Sequence, residues 1–428
     1  MKLILENIGM LKHAEITLHK LCVIAGENDN GKSTVGKIVF CIVKAINRYR
    51  EDLKESKEFR VGEKTEEIYF RLRDGIRPTG PEVLNMLRSL RIRMDALDRL
   101  EALDETIQRV FALQTFPPEA QEEVQVLRNE IQAILDQPEN VNQSIENALS
   151  KVFASEFDGS LLLQGATEGR IQFVASGDLP LIDLVVKPDG VRLMREVEPV
   201  VLKDATFIDS PLILNHHDLL ARSQTLLDMD QRRSGRLGQP YTTLHTKDLF
   251  EKLRAPILPF DAFEQNKTDL AREIQNIIDG EIAYDRSDRD FVFRRRGESV
   301  SIKNTASGIK VFGLLQILVT NEFVAKNTVL IFDEPENHLH PKWQLRLAQV
   351  LLKLVENGVY VLVSSHSPYL IEALKRGVDR AGLADQARFA LAQDQCITDA
   401  DRLSDIFEVL AEPFEVFRKM DAEDLRDE

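Results

Sequence analysis

The run Gly26-Glu-Asn-Asp-Asn-Gly-Lys-Ser-Thr34 constrains this chain more than any other stretch, because it follows the apolar segment Leu21-Cys-Val-Ile-Ala25 and precedes a helical pattern. Gly26 and Gly31 let the backbone wrap its N–H groups around a phosphate, and the following helix directs its positive dipole end to the same point. This spacing is that of a P-loop, with Glu27, Asn28, Asp29 and Asn30 forming its arch. Lys32 is then the cation for the β- and γ-phosphates, and Ser33, followed by Thr34, carries the hydroxyl that the motif places on Mg2+. A strand, a phosphate loop and a buried helix over residues 35–46 point to an α/β fold holding a nucleoside triphosphate with magnesium.

At about 150 residues per unit, a chain of 428 residues has room for two or three. Its 70 acidic side chains outnumber 55 basic ones, for a net charge of -15, so any nucleic-acid contact requires a local basic patch. Arg232-Arg233-Arg236 and Arg294-Arg295-Arg296 are the candidates, set against the plainer reading of solvated loops. Cys22, Cys41 and Cys396 lie far apart without metal-ligand spacing and read as buried free thiols. No apolar run approaches the roughly 20 residues of a bilayer span, and Met1 to Glu6 reads as a strand, so a cytoplasmic setting without membrane contact is expected.

Along the chain, residues 2–18 read as two short strands around a turn at Gly9. Residues 48–64 are charged and lack periodicity, and a short strand is expected at residues 68–72. From Val83, apolar residues recur at steps of four and three through Leu97, then through Leu100, Leu103, Ile107 and Val110, giving a long amphipathic helix that ends at Pro117-Pro118. Val124, Leu127, Ile131 and Ile134 mark a second helix folding back on it, and residues 147–153 a third. Strand-like runs at 160–164, 170–174, 180–186 and 190–194 read as a meander completing an antiparallel sheet with the N-terminal strands. Further on, the pattern predicts a proline-bearing strand at 206–214, a loop at 228–240, a helix at 269–278 and a hairpin over 291–302.

Three later signals carry chemistry. Thr305-Ala-Ser-Gly-Ile-Lys310 opens an apolar helix, with Ser307 expected at its N-cap and Gly308 allowing close backbone approach, a second potential phosphate site. Thr328-Val-Leu-Ile-Phe-Asp333-Glu334 is a buried strand ending in two acids; Asp333 suits a magnesium shell and Glu334 suits the attacking water. A further buried strand over 359–365 places His366 where it can meet a γ-phosphate. Asn215-His216-His217-Asp218 has metal-capable side chains, but adjacent histidines on one element share an ion poorly. Asp394, Asp399 and Asp401 crowd the chain's end, and residues 403–410 read as a packing helix.

Together these residues resemble the ABC-type ATPases, and within them the SMC-like and OLD-like branch, over residues 1–47 and 204–375. Gly26 to Ser33 matches the Walker A motif, Ser307-Gly308 the core of the signature, Asp333-Glu334 the Walker B acid and catalytic glutamate, and His366 the switch histidine. The resemblance implies an ABC-ATPase head, a mixed sheet with an antiparallel β subdomain, here carrying a helical insertion. The expected division is 1–80 and 204–428 for the two parts of the head, 81–155 for the insertion and 156–203 for a β-rich segment completing the head. ATP and Mg2+ are the implied cofactors. Two heads would face each other in a homodimer or higher homo-oligomer, each ATP lying between one head's Gly26–Thr34 loop and the other's Ser307-Gly308.

Departures from the transporter pattern are specific. Ile309-Lys310 replaces Gly-Gln, and Glu336-Asn-His-Leu-His-Pro341 replaces an Asp-ending D-loop in a form that resembles OLD-like ATPases. Asp209-Ser210 stands where a Q-loop glutamine is expected. The tail is too short for the Toprim nuclease domain of OLD enzymes, so the expected partner is a separately encoded effector, a nuclease or toxin of a bacterial defence module. An SMC-like DNA-maintenance ATPase, a transporter subunit and a nucleotide binder without turnover are the rival readings.

Overall fold

The computed structural model describes residues 1–48, 57–75, 99–113, 116–136, 141–175, 177, 179–223, 225, 241–255, 265–285, 290–337, 339–400, 403–412 and 418. The chain divides into two compact units, Met1–Asn47 with Leu149–Glu428, and Arg48–Ala148. In the first unit lie β1 Lys2–Ile8, β2 Leu11–Thr17, β3 Leu21–Gly26 and α1 Lys32–Arg48. The second holds α2 Lys57–Gly75, α3 Arg99–Leu113 and α4 Pro118–Asp136, and α5 Val141–Phe157 carries the chain back to the first. There follow β4 Gly169–Val174, β5 Pro180–Lys187, β6 Gly190–Leu193, β7 Asp204–Ile208, α6 His217–Leu220, α7 Leu244–Arg254, α8 Gln265–Ile278, β8 Glu281–Asp285, β9 Asp290–Arg295 and β10 Glu298–Ser301. The series closes with α9 Ser307–Thr320, β11 Thr328–Asp333, α10 Pro341–Glu356, β12 Tyr360–Ser365, α11 Pro368–Ala381, β13 Ala387–Gln393 and β14 Cys396–Asp399.

Among the described residues, one sheet of eleven strands runs in the order β6-β5-β4-β1-β2-β14-β13-β3-β12-β11-β7. Its parallel half, β13-β3-β12-β11-β7, consists of short apolar runs, as strands covered on both faces require. Antiparallel pairing of β2, β1, β4, β5 and β6 forms the other half, with alternating burial along β1 and β2. The outcome is the expected α/β P-loop type of fold, a mixed sheet with an antiparallel β subdomain. Phe207, Phe250, Phe312, Phe332 and Leu351 are fully or almost fully buried, and Leu403, Phe407 and Leu410 of the helix at 403–412 pack against the same core.

Several local expectations change. Residues 68–72 are helical, within α2, because Val61, Thr65, Ile68 and Leu72 bury one helix face at steps of four, three and four. A five-residue apolar window suits either period. Residues 160–164 form only a single bridge, Ile8 to Leu162, as the chain turns at Gly165, φ +86°. The strand over 206–214 stops at Ile208, since Pro211 begins a 3₁₀ turn capped by Ser210, whose Oγ accepts from Leu212 N at 3.2 Å. The hairpin of β9 and β10 gains β8 as a third strand. The helices over 99–113, 118–136 and 141–157 are present, and Arg128 makes two bonds to Asp104, at 2.9 and 2.7 Å, across α3 and α4. Residues 83–98 of the long helix and the loop at 228–240, with Arg232, Arg233 and Arg236, lie outside the described residues.

Candidate phosphate-binding and hydrolytic site

Parallel pairing aligns the carboxyl ends of β3, β12, β11 and β7: Ala25 sits opposite Ser365, Asp333 opposite Ser364, and Phe332 opposite Ile208. Open α/β sheets bind ligands at this end. The glycine loop leaves β3 here and enters α1 at Lys32. Gly26 has φ +147°, and a Cβ there would stand 2.3 Å from Ala392 O; Gly31 has φ +77°, with a would-be Cβ 2.5 Å from Leu11 Cδ2. Both positions therefore demand glycine. Glu27, Asn28 and Asp29 are exposed, Asn30 and Ser33 half-buried, and Thr34 N donates to Gly31 O at 3.1 Å.

Lys32, buried, curls back to donate to Gly26 O at 2.9 Å and Glu27 O at 2.7 Å. Its Nζ also lies 3.6 Å from Glu334 Oε1. Glu334, just past β11, has φ +44°; its N donates to Ser364 O at 3.0 Å, and its Oε2 accepts from Asn337 Nδ2 at 3.1 Å. Asp333 Oδ1 accepts from Ser364 Oγ. His366 places Nδ1 3.5 Å from Glu334 Oε1. The structure thus brings Lys32 and His366 to within 3.6 Å of Glu334, with Asp333 the preceding residue at the end of β11. The contacts that do so do not include Ser307 or Gly308, which open α9; Ala306, extended at φ −64° and ψ 146°, is the N-cap in place of Ser307.

Two groups were not singled out from the sequence. Glu336 is 5% exposed, and its Oε1 accepts from Ser365 Oγ, His366 N and Ser367 N. In the sequence it is only the start of the Glu336-Asn-His-Leu-His-Pro341 run, and nothing local to that run reveals these partners. The second group lies beside the end of β7, where buried His245 donates from Nδ1 to Glu156 at 2.5 Å and sets Nε2 3.4 Å from Asp209 Oδ2. Lys37 of α1 is 3.7 Å from the same Glu156. Burial pulls the His245 pKa down, but its bonds to Asp209 and Glu156 outweigh that and lift it to about 9. Separation by 89 positions hides the His245–Glu156 pair from any local pattern.

Other candidates resolve differently. His217 Nε2 is 3.1 Å from Tyr284 Oη, within rings that include Phe250 and Phe291. Among the described residues no group of three or more His, Cys, Asp or Glu side chains is placed to hold an ion. Arg295 and Arg296 both bond Asp279, and Arg294 faces Glu281 and Asp285. Asp399 accepts from Thr17 N at 3.2 Å, a tie between strands. Cys22 and Cys41 are buried free thiols as expected, whereas Cys396, beside the Asp394-Gln395 turn that closes the β13–β14 hairpin, is half-buried. Among the described residues no helix is long and apolar enough to cross a membrane. A cavity of about 610 Å3 adjoins the glycine loop on its β13 side, lined by Lys12, Asn28, Asn30, Gln393, Asp394 and Gln395 among others.

Fold and loop define the class: an α/β chain with a P-loop and two acids at the end of a neighbouring parallel strand. Residues 225–372 match the family described as "AAA domain, putative AbiEii toxin, Type IV TA system". No curated protein matches the chain. Among solved structures, similarity extends to an Smc head bound to the C-terminal winged-helix domain of ScpA, at 13% identity and TM-score 0.40, covering 93% of this chain and 96% of that one. The SMC head domain of Thermotoga maritima is similar at 11% identity and TM-score 0.38, covering 94% and 98%. An ATP-binding cassette of an ABC transporter in its ADP conformation is similar at 12% and 0.34, covering 98% and 99%.

Proposed function

We propose that the chain binds and hydrolyses Mg·ATP as an ABC-type ATPase whose ATP-dependent dimerisation drives a conformational output. The observation that carries this reading is Glu334 Oε1, which stands 3.6 Å from Lys32 Nζ and 3.5 Å from His366 Nδ1 at the mouth of a glycine loop. A carboxylate between two potential cations, beside a phosphate cradle, is placed to take a proton from water while the others meet phosphoryl charge. With phosphate present, Lys32 exchanges the loop carbonyls of Gly26 and Glu27 for phosphoryl oxygens. His366 Nδ1 is buried against Glu334 Oε1 and Glu336 Oε1, each 3.5 Å away, while 39% of the side chain stays exposed at the mouth of the site.

Asp333 and Ser33 offer the hard oxygen donors that magnesium takes, with phosphate and water completing its shell. When bound, the ion supplies charge neutralisation at the phosphoryl oxygens. On the far side of β3 from Asp333, the cavity beside Asn28 and Gln395 has room for the nucleoside. Ser307 and Gly308 act from the partner head, consistent with their place outside the cluster within one chain. The family description for residues 225–372, "putative AbiEii toxin, Type IV TA system", supports a role in a defence module. Control of a separately encoded nuclease or toxin by head closure is our reading of how such a chain would act.

Phosphate release and light scattering with and without Mg·ATP test this together. Wild type turns over, Lys32→Ala loses binding, and Glu334→Gln binds ATP, stops turning over and doubles its mass. Absence of wild-type turnover overturns the enzymatic reading, and a Glu334→Gln mass that ignores bound ATP overturns the ATP-closed dimer.

A further inference from the structure

Glu336 lies on the turn after β11, yet its polar contacts reach the loop after β12. One oxygen, Oε1, gathers three donors from consecutive residues: Ser365 Oγ at 2.7 Å, His366 N at 2.8 Å and Ser367 N at 3.1 Å. Successive N–H groups turned onto one anion form a backbone nest, here filled by a side chain of the same protein. The arrangement continues outward. Ser367 Oγ donates to Gln344 Oε1 at 2.6 Å, and Gln344 Nε2 donates to Leu339 O at 3.0 Å, closing a ring between the two loops and the start of α10.

A buried carboxylate is costly unless its hydrogen bonds repay the lost hydration, so three donors gathered on one oxygen fix its place strongly. Glu336 Oε2 is buried with no hydrogen-bond partner, and Oε1 lies 3.5 Å from His366 Nδ1, the same distance as Glu334 Oε1. Its side chain is 3% exposed while that of Glu334 is 24% exposed, so only Glu334 of the pair meets solvent on an appreciable surface. The two acids divide the work: one faces the reaction and the other fixes the loop that brings His366 to it.

We infer that Glu336 is a positioning residue, which holds the backbone of residues 365–367 so that His366 stays beside Glu334 during phosphoryl transfer. This rests on the ATPase reading above. Because Glu336 acts through His366, removing both should cost no more than removing His366 alone.

A double-mutant cycle on the full chain tests this. Glu336→Gln keeps size and shape but removes the charge from the three bonds; turnover at saturating ATP should fall about 10- to 100-fold, the penalty expected of a misplaced catalytic group. KM for ATP should hold; because a loss of folded enzyme would also lower turnover at constant KM, turnover is expressed per folded molecule, measured by circular dichroism. In the His366→Ala background the same change should alter turnover by less than about twofold. Ser365→Ala, which removes one donor, provides a milder second variant, again silent without His366. An equal fold-loss in both backgrounds, or unchanged turnover in Glu336→Gln, overturns the proposal and leaves the ATPase reading standing. A wild type without turnover overturns both.

Discussion

Two polar clusters sit at opposite ends of β7 and its parallel neighbours, and they are built in opposite ways. At the amino end, Lys44 pairs with Asp204 and Asp248 at 2.7 and 2.6 Å, and Lys252 with the same two acids at 2.8 and 3.0 Å. Both lysine side chains are at most 4% exposed. Two cations meet two anions at contact distance, and burial, which would raise the Asp204 pKa, is outweighed by Lys44 and Lys252, which hold it down at about 2. At the carboxyl end, the ionic contacts of Glu334 with Lys32 and His366 are 3.5–3.6 Å, and Glu334 and His366 keep surface in solvent. His366 Nδ1 and Glu336 Oε2 lack hydrogen bonds, whereas Asp248 Oδ2, the unbonded oxygen of the amino-end cluster, has Lys252 Nζ at 3.0 Å. A closed cluster contributes to the fold; an open one has capacity left for a ligand.

The largest effect should come from opening the closed cluster. Lys44→Met leaves two buried aspartates sharing Lys252, and breaking a buried pair typically costs about 3–5 kcal/mol. A urea titration should show a clearly lower midpoint, with turnover per folded molecule retained. Glu334→Gln should do the reverse, holding the midpoint and lowering turnover by about 10²–10⁴-fold, the usual worth of a general base. Loss of turnover in both variants would break the contrast, since it would make the amino-end cluster part of the site.

What was legible from residues follows the same division. β3, β11 and β12 could be read because each is a short apolar run ending in chemistry: the glycine loop, Asp333-Glu334 and His366. Glu336 could not, because its role depends on a turn that folds it back under β12. Neither could the four-charge cluster, in which Asp204 and Lys44 are 160 positions apart. Ser307 was misplaced by one position because Ala306 is already extended, so the helix begins with the serine itself. Local patterns identify strands and loops; which buried charges find each other is decided by topology.

His245 lies between these extremes, buried like the first cluster and reaching toward the second through Asp209. Its folded pKa of about 9 lies above an unfolded value of about 6.5. The stability it contributes is complete below about 6.5 and is lost as pH rises through about 9. Thermal unfolding should therefore show a midpoint that falls across that window, and His245→Gln should flatten the fall. An unchanged slope in the variant would place the titration elsewhere.

The smallest effect probes how loosely the open cluster is held. Asn337 is exposed, and its Nδ2 donates to Glu334 Oε2 at 3.1 Å. In Asn337→Ala, water can take that place on a carboxylate that already meets solvent, so stability should stay within about 0.5 kcal/mol of wild type. Turnover should fall only a few-fold, because Glu334 keeps its backbone anchor to Ser364 O and its approach to Lys32 and His366. The measurement is the pair of values on one preparation, urea midpoint and turnover at saturating ATP. A fall in turnover as deep as that of Glu334→Gln would mean that Glu334 depends on Asn337 for its aim, and that the carboxyl-end cluster is more tightly specified than its long contacts indicate.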